Sequence, residues 1–416
     1  MRPATRTFED VCEELDHRRR VALGFERIEA LLDLLDHPEH DLRIVQVVGT
    51  NGKGTTAVAL GAALEEAGFA SGAYLSPHVL SYVERVVIHG RPVSQETFAN
   101  AMGEVIALAD EHSVPATQFE LLTAGALKVF RDAGLSWAVM EAGLGARHDA
   151  TSVAQPEAVV LTNVALDHTQ YLGDTIKEIA CEKLASLRWG AILVLGSDDP
   201  RVEEIARREA DRVGVKLTEV GEVNEEEMSA FGFVPYAARD VRLGFAAAEV
   251  LLNRALFHGE RKRAARRVKG ALPARFEERD VRGVPVIIDG GHNPEALKAT
   301  LGAVRARYEG RPLAVVFGVL KDKDAGSMLD LLKKRADALV LTRTAGAGER
   351  AAEPTDLVRE HEPIDARGER ARVIEEPLDA LLAAVEVMEG ADGVVLVTGS
   401  FHTAASVLGW LRGGGQ

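Results

Sequence analysis

A lysine set among glycines and hydroxyl side chains is the densest group of chemistry-bearing residues in the chain. Residues 45–56 read VQVVGTNGKGTT, with Lys53 followed by Gly54 and Thr55. Glycines let backbone N–H groups approach phosphate oxygens, and a following helix adds the positive end of its dipole. Lys53 can reach terminal phosphates and Thr55 can bind Mg²⁺. We therefore predict a nucleoside triphosphate site formed by Gly49, Thr50, Asn51, Gly52, Lys53, Gly54, Thr55 and Thr56.

Polar side chains also follow the next predicted strands. Ser76, Pro77 and His78 end one apolar run, and Arg85 comes soon after. Glu141 ends a second run and leads into a glycine-rich loop at 143–151. Open α/β sheets bind ligands at the carboxyl ends of their strands, and a carboxylate there suits a hard cation. The alternatives are a Ser-Pro turn with a surface histidine, and a strand-end acid that faces water.

Two further segments of the first half combine acids with other polar groups. Thr117 and Glu120 stand three residues apart before an apolar run, which is also the pattern of a capping box at a helix start. Asp167 and His168 follow another strand, and the next helical segment carries Glu182 and Lys183. From the residues alone, that Glu-Lys pair is typical of a solvated surface.

The second half repeats this arrangement. The run 284–289 ends in Asp289, His292 follows, and Pro294 is suited to start a helix. Arg275 lies upstream, and the polar segments 318–324 and 398–402 end two more predicted strands. We expect these groups to lie at strand ends, as in the first half.

The elements that position these groups alternate between short apolar runs and helical patterns. The predicted strands are 43–48, 70–75, 137–142, 157–163, 191–195, 284–289, 312–318, 338–342 and 393–398, and a helix pair near 8–36 precedes the first. Such alternation indicates an α/β fold with largely parallel sheets. Segment 197–235 is acidic, with Glu222, Glu225, Glu226 and Glu227 close together, and is expected to be an irregular peripheral loop after Asp211.

Length and composition limit the function classes. A chain of 416 residues should form at least two domains, and the basic run 261–269 before a Gly-Ala-Leu-Pro segment marks the expected boundary. The net charge of −15 argues against a nucleic-acid partner. Two isolated cysteines indicate a reducing compartment. No run approaches the about 18 apolar residues of a membrane span, and no signal peptide is evident. We expect a cytoplasmic protein that binds no membrane.

In their order and spacing, these motifs resemble those of the folylpolyglutamate synthase/dihydrofolate synthase family of the Mur ligase superfamily. The resemblance covers about residues 20–405 and includes the 49–55 loop, the Ser76–His78 and Thr117–Glu120 segments, the 141–145 loop, 166–168, 182–183 and 289–294. It implies an N-terminal P-loop-type ATPase domain with a parallel sheet over 1–268. A smaller C-terminal Rossmann-like α/β domain would cover 272–416, with ATP bound between the two.

The resemblance also implies roles for single residues. Lys53, Lys183 and His168 would be catalytic, with Lys183 carbamylated beside the metals. Mg²⁺ would be held by Thr55, Ser76, Glu141 and His168. Arg275, Asp289 and His292 would contact the nucleotide. The substrate side would comprise His78, Arg85, Thr117, Phe119, Glu120 and Asp149.

The implied reaction is ATP-dependent addition of L-glutamate to dihydropteroate, to folates or to both, through an acyl phosphate. The implied cofactors are ATP, Mg²⁺ and a monovalent cation, and the protein is expected to be a monomer. Alternatives are a folylpolyglutamate synthase that lacks dihydrofolate synthase activity, a peptidoglycan-type Mur ligase, and a non-catalytic ATP-dependent switch. Only 48 residues precede Gly49, too few for the uridine-nucleotide domain of a peptidoglycan enzyme.

The chain departs from the family pattern at two places. Leu272-Pro273-Ala274-Arg275 stands where the family usually has Trp-Pro-Gly-Arg. Tyr236–Asp240 stands where it usually has His-Gln-x-x-Asn. Asp240 replaces that asparagine only partly, because an ionised carboxylate has no hydrogen-bond donor.

Overall fold

The structure is a computed structural model that describes residues 6–221 and 232–413. The chain divides into two compact units, Met1–Leu272 and Pro273–Gln416. Glu222, Glu225, Glu226 and Glu227 of the predicted peripheral loop lie outside the described residues. Among the described residues, no helix has the length and apolar character needed to cross a membrane.

The first unit is built on an eight-stranded sheet. Its strands are β1 (Arg43–Val48), β2 (Ser71–Tyr74), β3 (Val86–Ile88), β4 (Arg91–Pro92), β5 (Trp137–Glu141), β6 (Ala158–Leu161), β7 (Ile192–Leu195) and β8 (Lys216–Glu219). The order across the sheet is β4-β3-β2-β5-β1-β6-β7-β8. Neighbouring strands are parallel along the stretch β2-β5-β1-β6-β7-β8. At the other edge, β3 pairs antiparallel with both β2 and β4.

Helices and short 3₁₀ turns connect these strands. The helices are α1 (Phe8–His17), α2 (Glu26–Leu34), α3 (Lys53–Glu66), α4 (Gln95–Glu111), α5 (Gln118–Asp132), α6 (Thr169–Leu172), α7 (Ile176–Lys183), α8 (Pro200–Val213), α9 (Pro235–Leu252) and α10 (His258–Val268). Helix α3 is buried along most of its length because its small side chains let the sheet, α9 and α10 pack closely around it.

The expectation of an irregular segment after Asp211 is wrong for the described part. Helix α8 continues to Val213 and ends at Gly214, whose left-handed backbone (φ 77°) closes the helix. The segment then forms β8, which pairs in parallel with β7. Its polar sequence escaped prediction because an edge strand is not buried on both faces.

The basic run before the unit boundary forms α10 and packs on α3. Arg263 pairs with Glu66, and Arg267 pairs with Glu65 and Glu66. These acids occupy the carboxyl end of α3, the far end from Lys53. The cations therefore offset two carboxylates that the helix dipole disfavours there.

The second unit is a six-stranded sheet of order β13-β12-β11-β14-β10-β9. Its strands are β9 (Glu277–Val281), β10 (Val284–Ile288), β11 (Leu313–Phe317), β12 (Ala338–Leu341), β13 (Arg372–Val373) and β14 (Val394–Thr398). Its helices are α11 (Pro294–Arg307), α12 (Ala325–Lys333), α13 (Pro354–His361), α14 (Pro377–Glu389) and α15 (Phe401–Arg412). All neighbouring strands are parallel except β9, which pairs antiparallel with β10. The predicted α/β fold class is confirmed.

Candidate active site

The glycine-rich loop follows β1, the strand between β5 and β6, and opens α3. Gly49 has φ 147° and Gly52 has φ 81°, so both occupy backbone regions that L side chains rarely adopt. A Cβ at Gly49 would overlap the Thr162 side chain, and one at Gly52 would overlap the Asp240 carboxylate. Both positions therefore require glycine, Gly49 because of Thr162 and Gly52 because of Asp240.

Two residues that sequence reasoning left without a role fix this loop. The Asn163 carbonyl accepts from the Thr50 N–H (2.9 Å), and the Asn163 side-chain oxygen accepts from the Asn51 N–H (2.9 Å). Thr162 donates its hydroxyl to the Asn51 carbonyl (2.7 Å). Their position at the end of a predicted strand is the one sequence signal that could have pointed to them.

These bonds use two amides of the loop within the protein itself. The N–H groups of Thr50 and Asn51 are donated to Asn163, so they hold the loop. The N–H groups of the first turn of α3 have no acceptor in a preceding helical turn and carry the positive end of the dipole. Lys53 begins that turn, and its ammonium donates to the Thr50 carbonyl (3.2 Å). Lys53 and the amides that follow it are therefore suited to an anion, and nucleotide binding by the 49–56 loop stays a prediction.

Glu141 and Ser76 meet at the start of α3. Glu141 is buried, and its Oε2 accepts from the Ser76 N–H (2.9 Å). The same oxygen would lie 3.3 Å from a Cβ at Gly54. The interpretation of Glu141 as an acid facing water is thus wrong. A carboxylate and two hydroxyl residues, Ser76 and the buried Thr55, gather here as oxygen donors of the kind Mg²⁺ prefers.

Lys183 also belongs to this site. It ends α7 and is buried, and its Nζ donates to the Gly49 carbonyl (2.7 Å). Burial, with a smaller contribution from the positive charge of Lys53, lowers the pKa of Lys183 from 10.5 to about 7. The solvated-surface interpretation of this lysine is wrong. Its neighbour Glu182 instead pairs with Arg147 (2.8 Å).

His168 begins α6 in a left-handed conformation (φ 51°). The Asp167 carboxylate accepts from the His168 backbone N–H (2.9 Å), and its distance to the His168 Nε2 is 4.0 Å. The acid therefore shapes the backbone of this loop. Binding of Mg²⁺ by His168 stays a prediction.

The predicted substrate residues have well-defined structural partners. Thr117 and Glu120 form the capping box of α5, and Glu120 also pairs with Arg27 (Nε–Oε1 3.0 Å). Arg85 is buried and donates from Nε to His78 Nδ1 (2.9 Å). The capping interpretation is thereby confirmed for Thr117 and Glu120. Contact of these four side chains with a substrate stays a prediction.

Asp149 and Phe119 hold the 143–149 loop. Asp149 is buried and accepts from the Gly143 and Leu144 N–H groups, both at 2.9 Å, and from Thr151. Burial raises the pKa of the Asp149 carboxyl, and these hydrogen bonds act in the opposite direction. A Cβ at Gly143 would collide with the Phe119 ring, so the loop packs directly on the start of α5.

In the second unit, the predicted residues gather around Phe401. The Arg275 guanidinium lies 4.3 Å from the centroid of the Phe401 ring, and the His292 ring lies 5.5 Å from it. Asp289 is buried and accepts from the N–H groups of Phe276 and Gly291, both at 2.9 Å, and from Thr300. Asp289 thus organises the loop after β10. Nucleotide contact by Arg275, Asp289 and His292 stays a prediction.

Comparison with known protein families identifies the family of this chain. Residues 47–243 match the Mur ligase middle domain, and residues 274–401 match the Mur ligase glutamate ligase domain. A dihydrofolate synthase/folylpolyglutamate synthase of Haemophilus influenzae is 32% identical to this chain over 94% of each sequence. The chain belongs to the dihydrofolate synthase/folylpolyglutamate synthase family of Mur ligases.

Solved structures agree with this membership. A folylpolyglutamate synthase of Mycobacterium tuberculosis complexed with ADP matches with a TM-score of 0.85, 27% identity and 97% coverage of both chains. A bifunctional enzyme of this family from Yersinia pestis, complexed with AMPPNP and a Mn ion, matches with a TM-score of 0.82, 30% identity and 98% coverage of both chains. Like other members of the family, the chain is an ATP-dependent ligase.

Proposed function

We propose that this ligase is bifunctional and joins L-glutamate both to dihydropteroate and to folates. Family membership supports ATP-dependent glutamate ligation, and the site geometry supplies suitable groups for it. The two activities of the Haemophilus influenzae relative, a dihydrofolate synthase/folylpolyglutamate synthase, support the choice of two acceptors. The single observation that carries the ligation chemistry common to both is the position of the Glu141 carboxylate. It lies between the Ser76 N–H and the first turn of α3, where Lys53 stands.

The proposed reaction has two steps. A carboxylate oxygen of the acceptor attacks the γ-phosphorus of ATP and ADP leaves, so an acyl phosphate forms. The neutral amine of L-glutamate then attacks the acyl carbon and loses one proton to solvent. An amide C–N bond forms, the C–O bond to the phosphoryl group breaks, and phosphate leaves with that oxygen. Lys53 and the first-turn amides of α3 stabilise the charge that spreads over the transferred phosphoryl group. The reaction needs no protein nucleophile.

The residues present fit a divalent ion. Glu141 and the hydroxyls of Ser76 and Thr55 offer hard oxygen donors at the phosphate end of α3, and His168 adds an imidazole in our proposal. Bound Mg²⁺ would supply positive charge that neutralises the triphosphate. The Ser76 N–H orients the Glu141 carboxylate towards this role. We also propose a bound monovalent cation, which the family resemblance implies.

We further propose that Lys183 is carbamylated. Its amine nitrogen attacks the carbon of CO₂, a proton goes to solvent, and a carboxylate replaces the ammonium. A pKa of about 7 gives a large neutral fraction near neutral pH, which the attack requires. The carbamate nitrogen keeps one N–H, which is enough to retain the bond to the Gly49 carbonyl. The product would convert a buried cation into an anionic oxygen donor.

We assign residues 1–268 to the ATP-binding domain and 272–416 to the Rossmann-like domain, and we propose a cytoplasmic monomer with no nucleic-acid or membrane partner. The pteridine end of the substrate is proposed to contact Phe119 and the 143–149 loop, because they pack on each other. The alternative is a folylpolyglutamate synthase that does not use dihydropteroate, and the assays below distinguish the two.

The function is tested by requiring both substrates together. We expect rapid ADP release only when ATP, a carboxylate acceptor and L-glutamate are all present. With an acceptor whose carboxylate carries ¹⁸O, one ¹⁸O should appear in the released phosphate, because that oxygen bridges the acyl phosphate. ADP release that is independent of both acceptor and glutamate would support the non-catalytic switch instead. Phosphate without ¹⁸O would exclude the acyl phosphate.

Removing the carboxylate of Asp149 should impair the use of the acceptor more than the use of ATP. In Asp149→Ala, the N–H groups of Gly143 and Leu144 lose their acceptor and the loop loosens. We expect kcat/KM for dihydropteroate to fall about tenfold or more, with KM for ATP nearly unchanged. Steady-state kinetics with each substrate varied in turn measure this. Asp211→Ala, on the exposed face of α8, is the control, and an equal loss for ATP would contradict the assignment.

Replacing Asp240 with asparagine should improve the binding of ATP. Its carboxylate packs against Gly52, beside the loop that receives the phosphates, and its carbonyl accepts from the Thr56 hydroxyl (3.2 Å). Asp240→Asn removes a negative charge there and adds a donor. We expect KM for ATP to fall about fivefold, equal to about 1 kcal/mol. Asp240→Ala separates loss of charge from gain of a donor, and a raised KM in Asp240→Asn would contradict the argument.

A further inference from the structure

Two histidines and a glutamate converge in the turn between α2 and β1, away from the loop that carries Lys53. The chain turns sharply because Asp36 and His37 are both left-handed, with φ 55° and 50°. A 3₁₀ helix, Pro38–Asp41, follows with His37 as its N-cap. Residues three apart eclipse each other in this helix type. The His37 and His40 rings accordingly stack, with centroids 4.6 Å apart and planes 14° apart.

The Glu39 carboxylate joins the two imidazoles. Its Oε1 lies 2.9 Å from His37 Nδ1 and 3.5 Å from His40 Nε2. One ligand atom from each of the three residues fits within 4.8 Å of the others. Ligands of a tetrahedral Zn²⁺ stand roughly 3.3–3.5 Å apart at the usual bond lengths. Since the His40 side chain is 72% exposed, a small rotation can bring its Nε2 to the distance that a shared metal ion requires.

A second observation points independently to a ligand. The Glu39 side chain is only 9% exposed, and its Oε2 is buried with no hydrogen-bond partner among the described residues. A buried carboxylate oxygen without a donor is costly, and such atoms in folded proteins are commonly satisfied by an ion or a water molecule. A cation beside this carboxylate would remove the cost.

The surroundings of His37 already match those of a metal ligand. Its second ring nitrogen, Nε2, lies 3.0 Å from Asp33 Oδ1. A metal-binding histidine usually donates its other N–H to a carboxylate, which fixes the tautomer and the ring orientation. The backbone here is also well held, because His37 N–H donates to the Leu32 carbonyl (2.9 Å) and Arg131 donates to the Leu35 carbonyl (2.6 Å).

We propose that His37 Nδ1, Glu39 and His40 Nε2 bind one Zn²⁺ ion, with water completing the coordination. Two imidazoles and one carboxylate suit Zn²⁺ and related transition metals, whereas Mg²⁺ prefers oxygen ligands only. The site lies before β1, and the Lys53 loop lies after it, so the strand's length of roughly 20 Å separates them. The ion would therefore stabilise the turn between α2 and β1 and take no part in the ligase reaction.

Metal-binding measurements on the full-length, tag-free protein test this proposal. The protein is stripped with a chelator and returned to millimolar Mg²⁺, which competes for oxygen-rich sites. Zn²⁺ affinity is then measured by competition with a chromophoric chelator. We expect the wild type to bind one equivalent of Zn²⁺. His40→Ala should bind Zn²⁺ about tenfold more weakly, and His37→Asn about 100-fold more weakly. Asparagine is chosen at position 37 because it tolerates positive φ.

His112→Ala, another exposed histidine of the same unit, is the matched control and should bind zinc like the wild type. Cu²⁺ loaded at one equivalent should show two imidazole nitrogens by electron paramagnetic resonance, and this signature should be lost in His37→Asn. All variants should unfold at the same temperature in chelator and keep their Mg²⁺-dependent ligase activity. Zinc binding that is equal in the wild type, His37→Asn and His40→Ala would overturn the proposal, as would failure of the wild type to bind micromolar zinc.

Discussion

Replacing Lys53 with alanine is expected to lower kcat by about 100-fold or more, with the fold intact. The Lys53 ammonium stands at the first turn of α3 and donates to the Thr50 carbonyl. A charge held there acts mainly on the negative charge that develops on the transferred phosphoryl group. Its loss should therefore reduce kcat more than it raises KM for ATP.

Steady-state kinetics of ADP release measure this effect, and circular dichroism checks the fold. Lys216→Ala, on the exposed edge strand β8, is a control that also removes one positive charge from the unit. Lys53→Arg tests whether charge alone suffices, since a planar guanidinium is not equivalent to an ammonium. A folded Lys53→Ala variant with near-normal turnover would remove this residue from the mechanism.

Replacing Lys183 with alanine should abolish most activity, and a short carboxylic acid should restore part of it. Lys183 is buried against the Gly49 carbonyl, so alanine leaves room for a small acid to occupy. In our proposal the wild-type side chain is itself a carboxylate once carbamylated. Activity of protein depleted of bicarbonate should accordingly recover when bicarbonate is added.

The control for this variant is Lys177→Ala, an exposed lysine on the same helix α7. It should neither lose activity nor respond to added acids. Carbon-13 NMR after incubation with labelled bicarbonate should show one carbamate in the wild type and none in Lys183→Ala. A free amine at Lys183 in fully active protein would contradict the carbamylation proposal.

The sheets were predictable from the sequence because their central strands are continuous apolar runs. Strands β1, β5 and β6 are buried along nearly their whole length, and a strand in the middle of a parallel sheet must be apolar on both faces. Strands β4, β8, β9 and β13 escaped prediction for the same reason: each lies at a sheet edge and carries polar residues.

The candidate site was predictable only where chain order carries the signal. Gly49, Gly52 and Lys53 lie within one loop, so their types and spacing indicated phosphate binding. Lys183 donates to the Gly49 carbonyl, which is 134 residues away in the sequence. No residue next to Lys183 in the sequence indicates that this lysine is buried.

The same limit applies to Asn163 and Phe401. Asn163 reaches a loop 112 residues earlier, and Phe401 gathers Arg275 and His292 from two other loops. Such contacts follow from the order of strands in the sheet. A sequence pattern shows that these residues stand at strand ends, but it does not show which ends are neighbours.

The central claim is that one chain ligates glutamate to both dihydropteroate and folate. The most direct measurement incubates the protein with ATP, Mg²⁺ and L-glutamate and with either dihydropteroate or tetrahydrofolate, and identifies the products by mass spectrometry. We expect dihydropteroate and tetrahydrofolate each to gain at least one glutamyl residue, with both reactions lost in Lys53→Ala. Product from tetrahydrofolate alone would contradict the bifunctional account, and product from neither acceptor would contradict the assigned substrate class.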